Sequence, residues 1–108
     1  MAVARADVRR AEVLFGALEV IRPQAAFAYI GLAMAYLNAG RADDAVQVLD
    51  RGLRHCALEH QPELHSFRGL ALSCAGRTSE SVRALEAAGS HRLARTLLGD
   101  LDSLKSTI

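Results

Sequence analysis

Four side chains able to bind metal or move protons fall within eleven positions: His55, Cys56, His60 and His65. Zinc sites favour pairs such as C-x₂₋₄-C or H-x₃₋₅-H. His60 and His65 meet the second spacing, but Pro62 stands between them and no CxxC accompanies them. The four therefore read as polar groups in a solvated link, and no metal is expected. The next candidate is a thiolate, since Cys56 or Cys74 beside a histidine would be a nucleophile. The sequence supplies no oxyanion hole and no orienting group. Cys74 sits in an apolar run and reads as a small buried hydrophobe. The glycines are dispersed and form no phosphate-cradling loop. No catalytic residue, no cofactor and no enzymatic activity are expected.

Charge points away from polyanions. Thirteen basic against twelve acidic side chains leave a formal +1 over 108 residues, and the twelve arginines are scattered. Nucleic-acid binding needs a stronger electrostatic footprint. Two helices joined by a glycine turn also describe a helix-turn-helix, but a recognition helix should project several Arg, Lys, Asn or Gln. The segment 43–56 begins instead with Asp43 and Asp44. A small helical DNA-binding regulator stays only as a rival reading. No stretch reaches the roughly 18 apolar residues of a membrane span. The opening MAVARADVRR lacks the apolar core of a secretory signal. Two cysteines do not make a disulfide framework, so a cytoplasmic setting is expected, without membrane or nucleic-acid partners.

The elements that must position any site are helical. Ala and Leu supply a third of the chain, while β-branched and aromatic residues are scarce. Two segments repeat at an offset of 36: Ala33-Met34-Ala35-Tyr36-Leu37-Asn38-Ala39-Gly40-Arg41 and Gly69-Leu70-Ala71-Leu72-Ser73-Cys74-Ala75-Gly76-Arg77. Gly40 and Gly76 stand where an apolar run ends, the place for a residue with positive φ. Asp43, Asp44, Ser79 and Glu80 stand where the next begins, placed to cap open N–H groups and to favour the helix dipole. Each unit is thus helix, tight turn, helix. The spacing predicts helices at about 7–21, 25–38, 43–56, 62–75, 79–88 and 91–105, with short links that make neighbours antiparallel.

This pattern resembles the tetratricopeptide repeat. Tyr29, Leu32-Ala33, Tyr36, Gly40, Ala45, Leu49 and Gly52-Leu53 stand at that family's spacing, and Pro23 falls where it often places a proline between repeats. Ala11 and Phe15 fit the second helix of a preceding half-repeat. The next unit keeps Gly69, Leu72, Gly76 and Leu85, but His65 and Arg68 replace apolar residues and Ser81 replaces a small Ala. The resemblance implies an all-α fold, a right-handed stack of antiparallel helix pairs. One domain over 1–108 would hold a half-repeat (7–23), a full repeat (25–57), a degenerate repeat (62–89) and a capping helix (90–108). That last helix carries the stripe Leu93, Leu97, Leu101, Leu104 and Ile108.

The segment 25–37, AAFAYIGLAMAYL, carries no charge. In the family, Tyr29, Leu32, Ala33 and Tyr36 would occupy the packing face inside the repeat. Phe27, Ile30, Met34 and Leu37, at i, i+3, i+7 and i+10, are left on a second face, which the resemblance assigns to a concave groove. A helix apolar all round is buried all round or has a partner. Either neighbouring helices cover this stripe within the chain, or it is the floor of a partner-binding site. The size, repeat number and groove character are similar to those of small bacterial type III secretion chaperones. That likeness implies a protein partner: an amphipathic helix of an export subunit, or a co-chaperone in a hetero-oligomer. The alternative within the same fold is a general protein–protein adaptor.

Overall fold

A computed structural model describes the backbone of residues 2–89 and 91–107 and the side chains of 5–89 and 91–99. Among the described residues six α-helices follow in order: α1 (Ala2–Ile21), α2 (Ala26–Asn38), α3 (Ala42–His55), α4 (Gln61–Cys74), α5 (Thr78–Ala87) and α6 (Arg92–Thr107). The fold is all-α and tetratricopeptide-like. Helix ends agree with the sequence reading to within two residues, except that α1 begins five residues earlier, at Ala2. The link between α3 and α4 contains one 3₁₀ turn, Leu58–His60.

The glycine turns close as their sequence requires. Gly40 and Gly76 have φ of 75° and 77°. Behind each, two backbone bonds satisfy carbonyls that the helix end leaves open: Arg41 N–H to Tyr36 at 2.8 Å and Gly40 N–H to Leu37 at 3.0 Å. The second turn repeats them, with Arg77 N–H to Leu72 at 2.9 Å and Gly76 N–H to Ser73 at 3.0 Å. The expected side-chain caps are a different matter. Neither α3 nor α5 has a side-chain cap bond. Asp44 instead accepts from Arg41 Nε at 2.8 Å, and Glu80 accepts from Arg77 Nη2 at 2.6 Å. An arginine directly after the turn glycine captures each carboxylate, which still stands at the positive end of the helix dipole.

Helices pack in two rows. α2 and α4 approach each other, as do α4 and α6, whereas α1, α3 and α5 make no comparably close approach to one another. The inner row is therefore α2, α4, α6 and the outer row α1, α3, α5. α3 lies against α2 and α4, and α5 against α4 and α6. The core runs between the rows, centred on fully buried Tyr29, Leu49, Leu64, Leu72 and Leu85. Each buried leucine contributes roughly 1.5–3 kcal/mol through apolar burial. Leu97 and Leu98 of α6 pack on Leu85, Ala88 and Ala94. The side chains of Leu101 and Leu104, and Ile108 altogether, lie outside the described residues.

Candidate partner-binding groove

The rotation of α2 about its axis decides what the groove offers, and two tyrosines set it. Tyr29 Oη donates to the Pro23 carbonyl at 2.7 Å, and Tyr36 Oη donates to Glu12 Oε2 at 2.7 Å. Burial pushes both phenols above their ordinary range; the Glu19 charge adds to this at Tyr29, and the bonded Glu12 carboxylate at Tyr36. Both hydroxyls thus stay protonated and keep donating. The Arg41 guanidinium lies 4.7 Å above the Tyr36 ring centre. With Ala26, Ala28, Leu32 and Ala33 also buried, this side of α2 is committed to the core.

The stripe Phe27, Ile30, Met34 and Leu37 is thereby left on the other side. Phe27 is 50% exposed. Met34 is partly exposed, and Ile30 and Leu37 rest partly on the core. All four share one side of one helix, but their exposure is graded. Ile30 and Leu37 divide their surface between core and groove, while Phe27 carries the widest open apolar surface on α2.

The facing wall is less apolar. The offset of 36 maps the stripe onto Glu63, Ser66, Leu70 and Ser73 of α4. Ser66 is fully buried; its Oγ donates to the Pro62 carbonyl at 2.9 Å and lies 3.0 Å from His91 Nδ1. Leu93 N–H reaches the same ring nitrogen at 3.3 Å, so the start of α6 closes over this position. Leu70, partly buried, is the apolar counterpart of Met34. Sequence reasoning passed over Leu70, although the repeat offset marked it.

The chemically suggestive residues are scattered by the fold. His55 is exposed, and His60 lies 3.4 Å from Glu59. His65 is partly buried, with Nδ1 lacking a hydrogen-bond partner. Burial, and then the nearby Arg68 charge, hold its pKa below the ordinary histidine range. Among the described residues no three His, Cys, Asp or Glu side chains converge on a metal position. Cys56 is buried, and burial raises its thiol pKa. Cys74 is exposed, against expectation. It ends α4 at the repeat position of Asn38, which is exposed too, so the apolar run around it misrepresented its register.

Several arginines are occupied by carboxylates. Arg51 bonds Glu19 through two nitrogens at 2.9 and 3.1 Å, joining α3 to α1. Arg68 Nε reaches Asp50 at 2.6 Å, and Arg77 holds Glu80 and Asp43. These pairs consume charge that a phosphate-binding surface would need. Among the described residues no helix is long and apolar enough to cross a membrane.

The family model of the tetratricopeptide repeat matches residues 2–69, from α1 into α4. No curated protein and no solved structure matches the chain.

Proposed function

We propose that this chain, which belongs to the tetratricopeptide-repeat family, is a non-catalytic protein that holds an amphipathic helix of a partner against the Phe27, Ile30, Met34 and Leu37 stripe. Repeats of this family are typically non-catalytic modules that bind protein partners. The observation that carries the reading is α2 itself, a charge-free helix whose Phe27 remains 50% exposed beside a partly exposed Met34. Helix-in-groove recognition needs an apolar floor of this kind. Buried apolar area would supply most of the affinity, at roughly 25 cal/mol per Å² before the costs of association. In the finer form of the proposal, the partner is an export subunit of a bacterial type III secretion system, kept soluble in the cytoplasm. The small repeat number and the apolar character of the groove support that form.

The test is co-purification of the chain from its native host, beside the Met34→Glu variant. A charge at the centre of the floor would be desolvated and unpaired in the complex. The expected result is an export subunit recovered with the wild type and lost with the variant, whose helical circular dichroism persists. Full-strength binding by Met34→Glu would move the interface elsewhere. An unfolded Met34→Glu would make the stripe part of the core. A partner unrelated to export would leave the adaptor reading.

A further inference from the structure

A second apolar face lies on α1, the first helix of the stack. α1 turns Val8, Ala11 and Phe15 inward; Val8 is 2% exposed and Ala11 8%. Val13, Leu14, Val20 and Ile21 point away and are 75%, 56%, 83% and 72% exposed, with exposed Ala17 between them. Positions 13, 14, 17, 20 and 21 form one helical stripe. Four large side chains this exposed make a patch on the order of the 300–600 Å² that marks functional surfaces. The packing pattern explains why it is bare: α3 and α5 each pack closely on two inner-row helices, whereas α1 packs closely on α2 and reaches α3 through the Arg51–Glu19 pair.

Charge around the stripe is one-sided. The acids of α1 nearest its middle are engaged inward, Glu12 by Tyr36 and Glu19 by Arg51. Arg10 sits at one end, in an open hollow of about 420 Å³ lined by Arg9, Arg10, Val13 and Leu14. A second hollow of about 460 Å³ lies at the other end, lined by Ile21, Arg22, Pro23, Gln24 and Ala25. Arg10 has only an exposed Asp7 at 3.8 Å, and Arg9 and Arg22 form no ion pair among the described residues. The stripe is therefore bracketed by positive charge. A second copy would bring the same positive rim to the interface, which disfavours self-pairing.

We propose that the outer face of α1 docks an amphipathic helix of a second protein, one whose apolar stripe is flanked by carboxylates. The docked helix takes the packing place that α2 holds beside α3 and α4 holds beside α5. This site is separate from the groove on α2 and stands whether or not that groove binds a partner.

The test uses the full chain and two synthetic helical peptides with the same leucine stripe, one carrying Glu along its rims and the other Lys. Binding is read by fluorescence anisotropy. The Glu peptide is expected to bind, the Lys peptide at least tenfold more weakly. Val20→Glu and Arg10→Glu should each weaken the Glu peptide at least tenfold. Both positions are exposed, so circular dichroism should be unchanged. Leu58→Glu, at an 81% exposed apolar position off this face, should leave binding intact. Equal affinity for the two peptides, no binding of the Glu peptide, or indifference to Val20→Glu would each overturn the proposal. A concentration-dependent dimer that Val20→Glu dissolves would make a second copy the occupant and overturn it equally.

Discussion

One substitution should have opposite signs at two helical glycines. A Cβ at Gly69, inside α4, would strike Leu85 Cδ2 and would lie 2.6 Å from Leu85 Cγ and 3.3 Å from the Ser81 carbonyl oxygen. Leu85 is 1% exposed and has little room to swing aside. The contact is tight because Ser81 Oγ donates to the Gly69 carbonyl at 2.7 Å and holds α5 against α4. In the first repeat the corresponding pair is Ala33 and Ala45, with no such bond and a methyl accommodated. Gly69→Ala should thus cost roughly 1–3 kcal/mol in overpacking. Ala gains about 0.5–1 kcal/mol of helix propensity over Gly, so the net destabilisation spans about 0 to 2.5 kcal/mol and centres near ~1 kcal/mol. At Gly16, in α1, an added Cβ meets nothing within 4 Å, so Gly16→Ala should keep the propensity gain whole. Thermal denaturation followed at 222 nm separates the two, since 1 kcal/mol moves the midpoint by about 4–8 °C in a domain of this size. A Gly69→Ala variant as stable as Gly16→Ala would refute the close α4–α5 approach.

Three further outcomes are expected. Gly40→Val forces a β-branched residue to φ of 75° and should cost at least ~1 kcal/mol in urea denaturation; an unchanged midpoint would mean that Gly40 does not close α2. Ala45 is 0% exposed, so Ala45→Leu should overpack the α2–α3 contact by roughly 1–3 kcal/mol, and a silent substitution would show that α3 is rotated. His65 is harder to protonate folded than unfolded, because burial and Arg68 lower its pKa. The unfolded chain then binds more protons, and stability is lost as pH falls from the ordinary histidine value near ~6.5 toward the lowered one. The stability difference between wild type and His65→Phe should change between about pH 7 and about pH 5 in that sense. A pH-independent difference would show that His65 titrates alike in both states.

Local signals in the chain were enough for the helices and their turns. Gly40 and Gly76 needed only an apolar run on one side and a polar start on the other, and the 36-residue offset tied the two units together. What failed locally was the assignment of polar partners. Asp44 and Glu80 stand where capping residues stand, yet the arginine after each glycine reaches them before the backbone does. Cys74 went wrong for a related reason, since the repeat register, not the hydropathy around it, fixes which side of α4 it occupies. The groove was half legible. A charge-free helix announces a second apolar face, but only the tyrosine bonds to Pro23 and Glu12 decide how far Ile30 and Leu37 turn into the core.

The outer face of α1 was hidden by its own composition. Val8, Ala11 and Phe15 recur at helical spacing, and so do Val13, Leu14, Ala17, Val20 and Ile21. A helix with two apolar sides has little amphipathic contrast, so periodicity alone cannot say which side meets the core. Contacts distant in sequence make the choice. The Phe15 ring lies over Gly31 where any Cβ would strike it. Glu12 accepts from Tyr36 and Glu19 from Arg51, in α2 and α3. Each of these ties needs the side of α1 that carries Phe15, so the other stripe is turned outward with its arginines. Two of these ties also orient α2, because Tyr36 and Gly31 are its own residues. The helix with the outer stripe thereby fixes the angle at which Phe27 and Met34 meet the groove.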